Sequence, residues 1–155
     1  FGDYQCPACA AFYPLLKQVI DTYKDNPEFN FVLRNFPLPQ HNNAIISAEA
    51  AEAAGAQGKF WEMEGLLYEN QEEWSLSSAP IDIFVKYAKT LELDTVKFRT
   101  EIESGKYKDF IESDRADGVA LNVTWTPSIY INGELLQDIQ TFDQFKSRID
   151  SILEK

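Results

Sequence analysis

The chain has 155 residues, 45% hydrophobic and 14% aromatic, which is enough apolar material for one domain around a packed core. Fourteen basic against 25 acidic side chains give a net charge of −11, which disfavours nucleic acids and anionic membrane surfaces as partners. No uninterrupted apolar run approaches about 18 residues, so no segment is predicted to span a membrane.

The only cysteines, Cys6 and Cys9, form a single Cys-x-x-Cys motif near the start of the chain. A disulfide-stapled mini-protein would need more pairs. A structural zinc site normally has four ligands, and the only histidine is His41, so no metal site is predicted. A purely structural bridge across so short a loop would remove little chain entropy. The motif is therefore interpreted first as a redox pair.

A helix is predicted to begin at this motif, because Pro7 suits the first helical position and leaves Cys6 at the N-cap. Free amides and the positive end of the helix dipole stabilise a thiolate there, whereas Cys9 lies one turn further in. Cys6 is thus the predicted nucleophile, with a lowered pKa, and Cys9 the resolving thiol. Because Pro7 lacks an N–H and Ala8 brings no charge, we expect the shift to depend mainly on the helix terminus.

The next elements are predicted from hydrophobic periodicity. Residues 29–36 alternate as a strand does, and residues 42–121 show helical spacing. The later part predicts a strand at 127–131, a hairpin turn at Asn132-Gly133, a returning strand, and a final helix whose capping box starts at Thr141. The helices within 42–121 are predicted over Ile45–Ala54, around Phe60–Leu67, from Pro80, after a cap at Asp94, and from Tyr107 toward Leu121.

This order predicts an α/β fold with a βαβ half, a ββα half and a large helical insertion between them. A parallel crossover needs only about a dozen residues, far fewer than separate the two halves. The predicted parts are residues 1–40, an inserted helical subdomain at 41–121, and residues 122–155. Because the sequence starts only five residues before Cys6, we expect that most of the first strand belongs to upstream residues.

Several residues outside the motif are weaker candidates for the site. Asp3 is either a proton relay or a turn carboxylate. His41 is either a proton shuttle or an ordinary loop histidine. Among the tryptophans, Trp125 is the best candidate to line a substrate groove, Trp61 is predicted to be core, and Trp74 is left open.

Pro127 opens the predicted strand at 127–131. If the Thr126–Pro127 bond is cis, the backbone of Thr126 can pair with an extended peptide beside Cys6. Local sequence alone leaves the ordinary interpretation open, in which this proline is punctuation at the start of a strand.

The segment from Phe1 to Cys9, Phe-Gly-Asp-Tyr-Gln-Cys-Pro-Ala-Cys, resembles the active-site segment of the DsbA-like branch of the thioredoxin superfamily. The resemblance continues in the expected order over 36–41, 48–55, 57–61 and 126–133. Similar proteins often have Gly where this chain has Trp125. Many also carry a buried acid six residues before the first cysteine, a position that falls just before Phe1.

The resemblance implies a thioredoxin fold with a helical insertion, a cis Thr126–Pro127 bond and thiol–disulfide exchange through Cys6 and Cys9. It also implies work outside the cytoplasm, in the periplasm or on the outer face of the cell membrane, on reduced or unfolded secreted proteins. A membrane redox partner of the DsbB or VKOR type would re-oxidise the enzyme. No dissociable cofactor is implied, and membrane anchoring through residues upstream of Phe1 is one option.

The direction of exchange stays open, because it depends on the reduction potential and on the partner, which Pro7-Ala8 does not determine. The leading hypothesis is an oxidase that gives its disulfide to substrate proteins. The alternatives are a reductase or isomerase on the same fold, a peptide-binding module with a non-catalytic disulfide, and a cytoplasmic dithiol enzyme.

Overall fold

The computed structural model describes residues 1–137, 139 and 141–154, and in this range the chain is mostly helical. None of the helices described is long and apolar enough to cross a membrane. The elements in chain order are α1 (Pro7–Tyr23), α2 (Ala44–Gly55), α3 (Phe60–Glu69), α4 (Gln71–Trp74), α5 (Pro80–Thr90), α6 (Thr95–Glu103), α7 (Lys108–Ala120), β1 (Tyr130–Ile131), β2 (Glu134–Leu135) and α8 (Phe142–Leu153).

The residues that the sequence marks as helix starts act as predicted in α1, α6 and α8. Pro7 occupies the first turn of α1, with Cys6 as its N-cap. The Asp94 side chain accepts from two backbone amides at the start of α6, and Thr141 forms a capping box at the start of α8. The four-residue α4 was not predicted, since it is too short to show a helical period.

The strand predicted over 29–36 is wrong as a continuous strand. Only Asn35 pairs there, in an isolated parallel bridge with Gly2. The Gly2 amide donates to Arg34 O at 3.0 Å, and the Phe36 amide donates to Gly2 O at 2.7 Å. In this parallel register residues 29–33 face positions ahead of Phe1, so they meet no partner strand within the described residues. Residues 28–34 instead line a cavity of about 760 Å³ together with residues 127–133 and side chains of α1 and α8.

The predicted strand at 127–131 is shorter than expected, although it is hydrogen-bonded beyond β1. Phe1 and Ser128 exchange two backbone hydrogen bonds of 2.7 and 3.0 Å, an antiparallel pairing. Residues Phe1 and Gly2 therefore join the segment at 34–36 to the segment at 128. Beyond it, β1 and β2 form the predicted hairpin, with Asn132 and Gly133 at φ 50° and 82°, as a two-residue type I′ turn requires.

The cysteines belong to the larger of two hydrophobic clusters, which runs from the active-site segment into the helical block. Besides Cys6 and Cys9, it contains buried residues of α1 to α3 and α5 to α7, including Tyr13, Ala50, Met63, Phe84, Phe98 and Ile111. The smaller cluster packs α1 against α8 through Val19, Tyr23, Phe145 and Ile149. The division at residues 40 and 121 stays a prediction, and the larger cluster crosses the first of these positions.

The structure shows whether Trp61 and Trp74 belong to the core. Trp61 is 49% exposed, so the prediction that it is core is wrong; α3 buries the face that carries Met63 and Leu67 instead. Trp74, which the sequence left open, is fully buried. Its Nε1–H donates to Leu67 O at 2.9 Å and its ring lies edge-on to Phe84, with 5.3 Å between centroids.

Glu64 on α3 is a buried acid at the edge of the larger cluster. It is 3% exposed, and its Oε1 has no hydrogen-bond partner among the described residues, as is also true of the Tyr4 hydroxyl. Burial raises the pKa of Glu64 from 4.5 to about 8, against the opposing charge of Lys17. The folded chain therefore keeps a proton that the unfolded chain loses above about pH 4.5.

We predict that Glu64→Gln flattens the pH dependence of stability. Between about pH 4.5 and 8 the folded state binds one proton more at Glu64, so this residue makes stability fall as pH rises, by roughly 1 kcal/mol per pH unit. Urea unfolding from pH 5 to 8 measures this effect. The disulfide should be oxidised, so that thiol titration does not contribute. An unchanged slope in the variant would contradict the prediction, and Glu62→Gln on the same helix, at an exposed position, is the control.

Candidate active site

Cys6 occupies the N-cap of α1 with extended backbone angles (φ −70°, ψ 120°), and Cys9 lies one helical turn further in. Pro7 and Ala8 between them are exposed, whereas the two cysteines are 6% and 4% exposed. The motif therefore presents its two intervening residues to solvent above a nearly enclosed pair of sulfurs. Both sulfurs are free thiols in this structure.

Thr126 brings the second half of the chain against Cys6. The Cys6 thiol donates to Thr126 O at 3.5 Å, and the Thr126–Pro127 peptide bond is cis. The hydroxyl of Thr126 is buried and has no hydrogen-bond partner among the described residues, and its place beside Cys6 favours the Cys6 thiolate. The structure thus places the predicted residues Cys6, Cys9, Thr126 and Pro127 together.

The pKa of Cys6 is lowered from 9.0 to about 5, in the direction that the sequence predicts. Its largest cause is a hydrogen bond from the Cys9 side chain, followed among the lowering causes by the Thr126 side chain and the amides of Cys9 and Ala8, while burial opposes them. The amides face the sulfur without completing a capping hydrogen bond. The Cys9 side chain therefore lowers the pKa of Cys6 more than the amides of Cys9 and Ala8 do, and the contribution of the helix dipole stays a prediction.

The pKa of Cys9 is shifted in the opposite direction, well above its ordinary value. The hydrogen bond to Cys6 is the largest cause and burial is the second. Since both thiols share one hydrogen bond, stabilising one thiolate keeps the proton on the other. At neutral pH the reduced pair thus holds a single negative charge, on Cys6.

Asp3 and His41, which the sequence proposed separately, form a pair beneath the motif. The Asp3 carboxylate accepts from the amides of Gln5 (2.8 Å) and Leu38 (2.9 Å), and its Oδ2 lies 2.6 Å from His41 Nδ1. Asp3 is therefore a turn carboxylate with structural partners, and His41 is a loop histidine with a partner. A role of either group in proton transfer stays a prediction.

Sequence reasoning missed two amide side chains, those of Gln71 and Gln5, that link the motif to the helical block. Gln71 Nε2 donates to the carbonyls of Tyr4 (2.7 Å) and Cys6 (3.0 Å). The Gln5 side chain accepts from the Asn43 amide at 2.6 Å and donates to Ser75 O at 2.6 Å. The sequence shows an amide side chain, Gln5, directly beside the motif. It does not reveal the partners of Gln5, because Asn43 and Ser75 are distant from it in sequence.

Trp125, the predicted groove residue, is 53% exposed and directly precedes Thr126. Its backbone carbonyl accepts from the Ser128 hydroxyl at 2.7 Å, so the main chain around it is fixed. The ring is thus available to solvent beside the segment that contacts Cys6. Whether it binds substrate stays a prediction.

A helix start that carries the cysteines, joined to a segment with a cis proline, defines a thioredoxin-type protein, and the comparisons agree. The family model described as thioredoxin matches residues 1–151. The "Probable disulfide bond formation protein D" of Bacillus cereus is 30% identical over 162 residues, which cover 100% of this chain and 73% of that protein. The chain therefore belongs to the thioredoxin family, and this relative bears the name of a disulfide bond formation protein.

Other relatives are much longer than this chain. The "Na(+)/H(+) antiporter NhaA 1" of Salinispora arenicola is 36% identical over 135 residues, which cover 86% of this chain and 19% of the antiporter. "Na(+)/H(+) antiporter NhaA 3" of Salinispora tropica is 34% identical, again over 86% of this chain and 19% of that protein. The chain therefore spans about a fifth of the length of these relatives.

Solved structures share the fold at low sequence identity. Oxidised BdbD from Bacillus subtilis superimposes with a TM-score of 0.81 at 22% identity, covering 100% of this chain and 85% of that one. Wolbachia pipientis alpha-DsbA1 gives a TM-score of 0.81 at 18% identity, covering 97% of this chain and 81% of that one. The predicted thioredoxin-like fold with a helical insertion is thereby confirmed.

We predict that Cys9→Ala raises the pKa of Cys6 markedly above about 5, because it removes the largest stabilising contribution to the thiolate. The measurement is the thiolate absorbance at 240 nm as a function of pH, checked by the pH dependence of alkylation of Cys6. Ala11→Ser, which keeps the Cys9 thiol and lies at an exposed position of α1 outside the motif, is the control. If Cys9→Ala leaves the pKa of Cys6 unchanged, the helix terminus alone stabilises the thiolate.

Proposed function

We propose that this chain is a thiol–disulfide oxidoreductase that works as an oxidase, transferring the Cys6–Cys9 disulfide to reduced protein substrates. The observation that carries the proposal is the pair of opposed pKa shifts at the N-terminus of α1, lowered at Cys6 to about 5 and raised at Cys9. A stabilised Cys6 thiolate stabilises the reduced pair, and a more stable reduced pair is a stronger oxidant.

In the first step a substrate thiolate attacks the Sγ of Cys6 in the disulfide. The Cys6–Cys9 bond breaks as a substrate–Cys6 bond forms, and the leaving Cys9 sulfur takes up a proton, in accordance with its raised pKa. A second substrate thiolate then attacks the substrate sulfur of the mixed disulfide. Cys6 leaves as a thiolate, which its low pKa favours. The substrate loses two electrons and gains a disulfide, and the enzyme holds the dithiol.

Thr126 supports the approach of an extended substrate. Its backbone carbonyl contacts the Cys6 thiol, and the exposed Trp125 beside it offers an apolar surface. A substrate strand that pairs with the backbone at 126 would bring its cysteine against Cys6. Pro7 and Ala8 are exposed and small, so they leave this approach open.

The setting that fits an oxidase is extracytoplasmic, in the periplasm or on the outer face of the membrane, because disulfides persist in oxidising compartments. The substrates would be reduced or unfolded secreted proteins. Each cycle leaves the enzyme reduced, so a membrane redox partner of the DsbB or VKOR type would restore the disulfide.

We predict a reduction potential for the Cys6–Cys9 pair above about −200 mV, measured by equilibration with glutathione buffers. Cys6→Ser is the control, since it removes the couple without removing the fold. A potential near about −270 mV would instead indicate a reductase. A disulfide that glutathione does not reduce at all would indicate a peptide-binding module with a structural bridge.

A further inference from the structure

Leu76, between α4 and α5, is the most exposed of the large apolar side chains described, at 94%. A single exposed leucine is ordinary on a mobile loop. This one is held at the third position of a turn that is closed by a hydrogen bond of 3.0 Å from the Ser77 amide to Trp74 O. The buried Trp74 ring anchors the start of that turn. The backbone at Leu76 is thus held in a turn, and its side chain is exposed to solvent.

Side chains from two other segments brace the same turn. The Asn43 side-chain amide lies within hydrogen-bond distance of the carbonyls of Trp74 (3.1 Å), Ser75 (3.2 Å) and Ser77 (3.0 Å). Gln5 Nε2 donates to Ser75 O at 2.6 Å. The side chains of Asn43 and Gln5 thus hold the backbone of a turn whose Leu76 side chain contacts solvent.

The brace also fixes where Leu76 stands, because Gln5 directly precedes Cys6. The turn is attached to the active-site segment on the side of residue 5, whereas Trp125 is attached through Thr126, whose carbonyl contacts the Cys6 thiol. The segments that carry Leu76 and Trp125 are therefore each held to the active-site segment by a hydrogen bond, from separate parts of the fold. Because Gln5 bonds Ser75 directly, the turn lies within a few residues' length of an extended segment that reaches Cys6.

The charge beside Leu76 indicates which polypeptides fit. Glu72 and Glu73 on α4 are exposed and lie a few residues before it, on a chain with a net charge of −11. A basic side chain on an incoming segment gains attraction from this surface, and an acidic one is repelled.

We propose that the turn at 74–77 is a substrate-anchoring site. There Leu76 packs against an apolar side chain of an extended, reduced protein segment, and the carboxylates of α4 favour a basic residue near the cysteine of that segment. The inference rests on the proposed function and deepens it by naming which substrate segments are preferred. It assigns Leu76 to binding and leaves the chemistry of the sulfurs to Cys6 and Cys9.

The test compares Leu76→Ser with Val96→Ser, a matched control at an apolar residue that is 76% exposed on α6. The substrates are glutathione and a set of single-cysteine peptides that carry one leucine two to five residues from the cysteine and one lysine. Leu76→Ser should lower kcat/KM for the best peptide by at least about threefold and leave the glutathione rate and the pKa of Cys6 unchanged. Val96→Ser should change none of these values.

Equal losses with peptide and glutathione would overturn the proposal, because the turn would then shape Cys6 instead of binding substrate; no loss with any peptide would overturn it as well. A peptide with its cysteine replaced by serine gives an answer independent of redox chemistry. Its Kd should weaken at least about threefold in Leu76→Ser, and replacing the peptide leucine should weaken binding to the parent chain but not to the variant. If the parent oxidises neither glutathione nor peptide, the proposed function fails, and the binding experiment still decides the role of Leu76.

Discussion

The backbone of Phe1 and Gly2 is hydrogen-bonded on both sides, to Ser128 on one and to Arg34 and Phe36 on the other. Directly after it, the Asp3 carboxylate binds the amides of Gln5 and Leu38. These contacts fix the start of α1 relative to both halves of the chain. The contact between the Cys6 thiol and Thr126 depends on them, because Cys6 follows Asp3 by only three residues and Thr126 precedes Ser128 by two.

The effect of burial on the pKa of a titratable group in this structure depends on the hydrogen-bond partners that the group has. Cys6 is nearly buried, yet donors from Cys9 and Thr126 outweigh burial and lower its pKa. Glu64 is buried with an unpartnered oxygen, so burial raises its pKa. The two groups consequently have opposite effects on stability in the reduced protein: the Cys6 thiolate makes the folded state more stable as pH rises, and Glu64 makes it less stable.

Local signals in the sequence were sufficient for the helices and the hairpin. Pro7, Asp94, Thr141 and Asn132-Gly133 are capping or turn residues whose effect extends over a few neighbours, and each acts in the structure as predicted. The prediction of a strand at 29–36 was wrong because a strand needs a partner strand, which local alternation does not reveal. The prediction that Trp61 is buried was wrong for a related reason, since its burial depends on which face of α3 meets the core.

The same distinction between local patterns and contacts of distant segments applies to the active site. The Cys-x-x-Cys spacing predicted the sulfurs and the direction of the Cys6 shift, and the resemblance predicted the cis Thr126–Pro127 bond. The Asp3–His41 pair and the amide side chains of Gln71 and Asn43 were not predicted as contacts. These groups meet only because the helical block folds back on the motif, and no local pattern encodes that return.

The hydrophobic cluster that joins the cysteines to the helical block limits which parts of this fold can be removed or transplanted. Cys9 belongs to the same cluster as Ala50, Met63 and Ile111, so the burial that helps to raise the pKa of Cys9 depends in part on this helical packing. A smaller scaffold without these helices would carry over the two cysteines and Thr126 but would bury Cys9 less, and one of the two largest causes of its raised pKa would weaken. In this chain the helical block is part of the packing around the cysteines and not a detachable accessory.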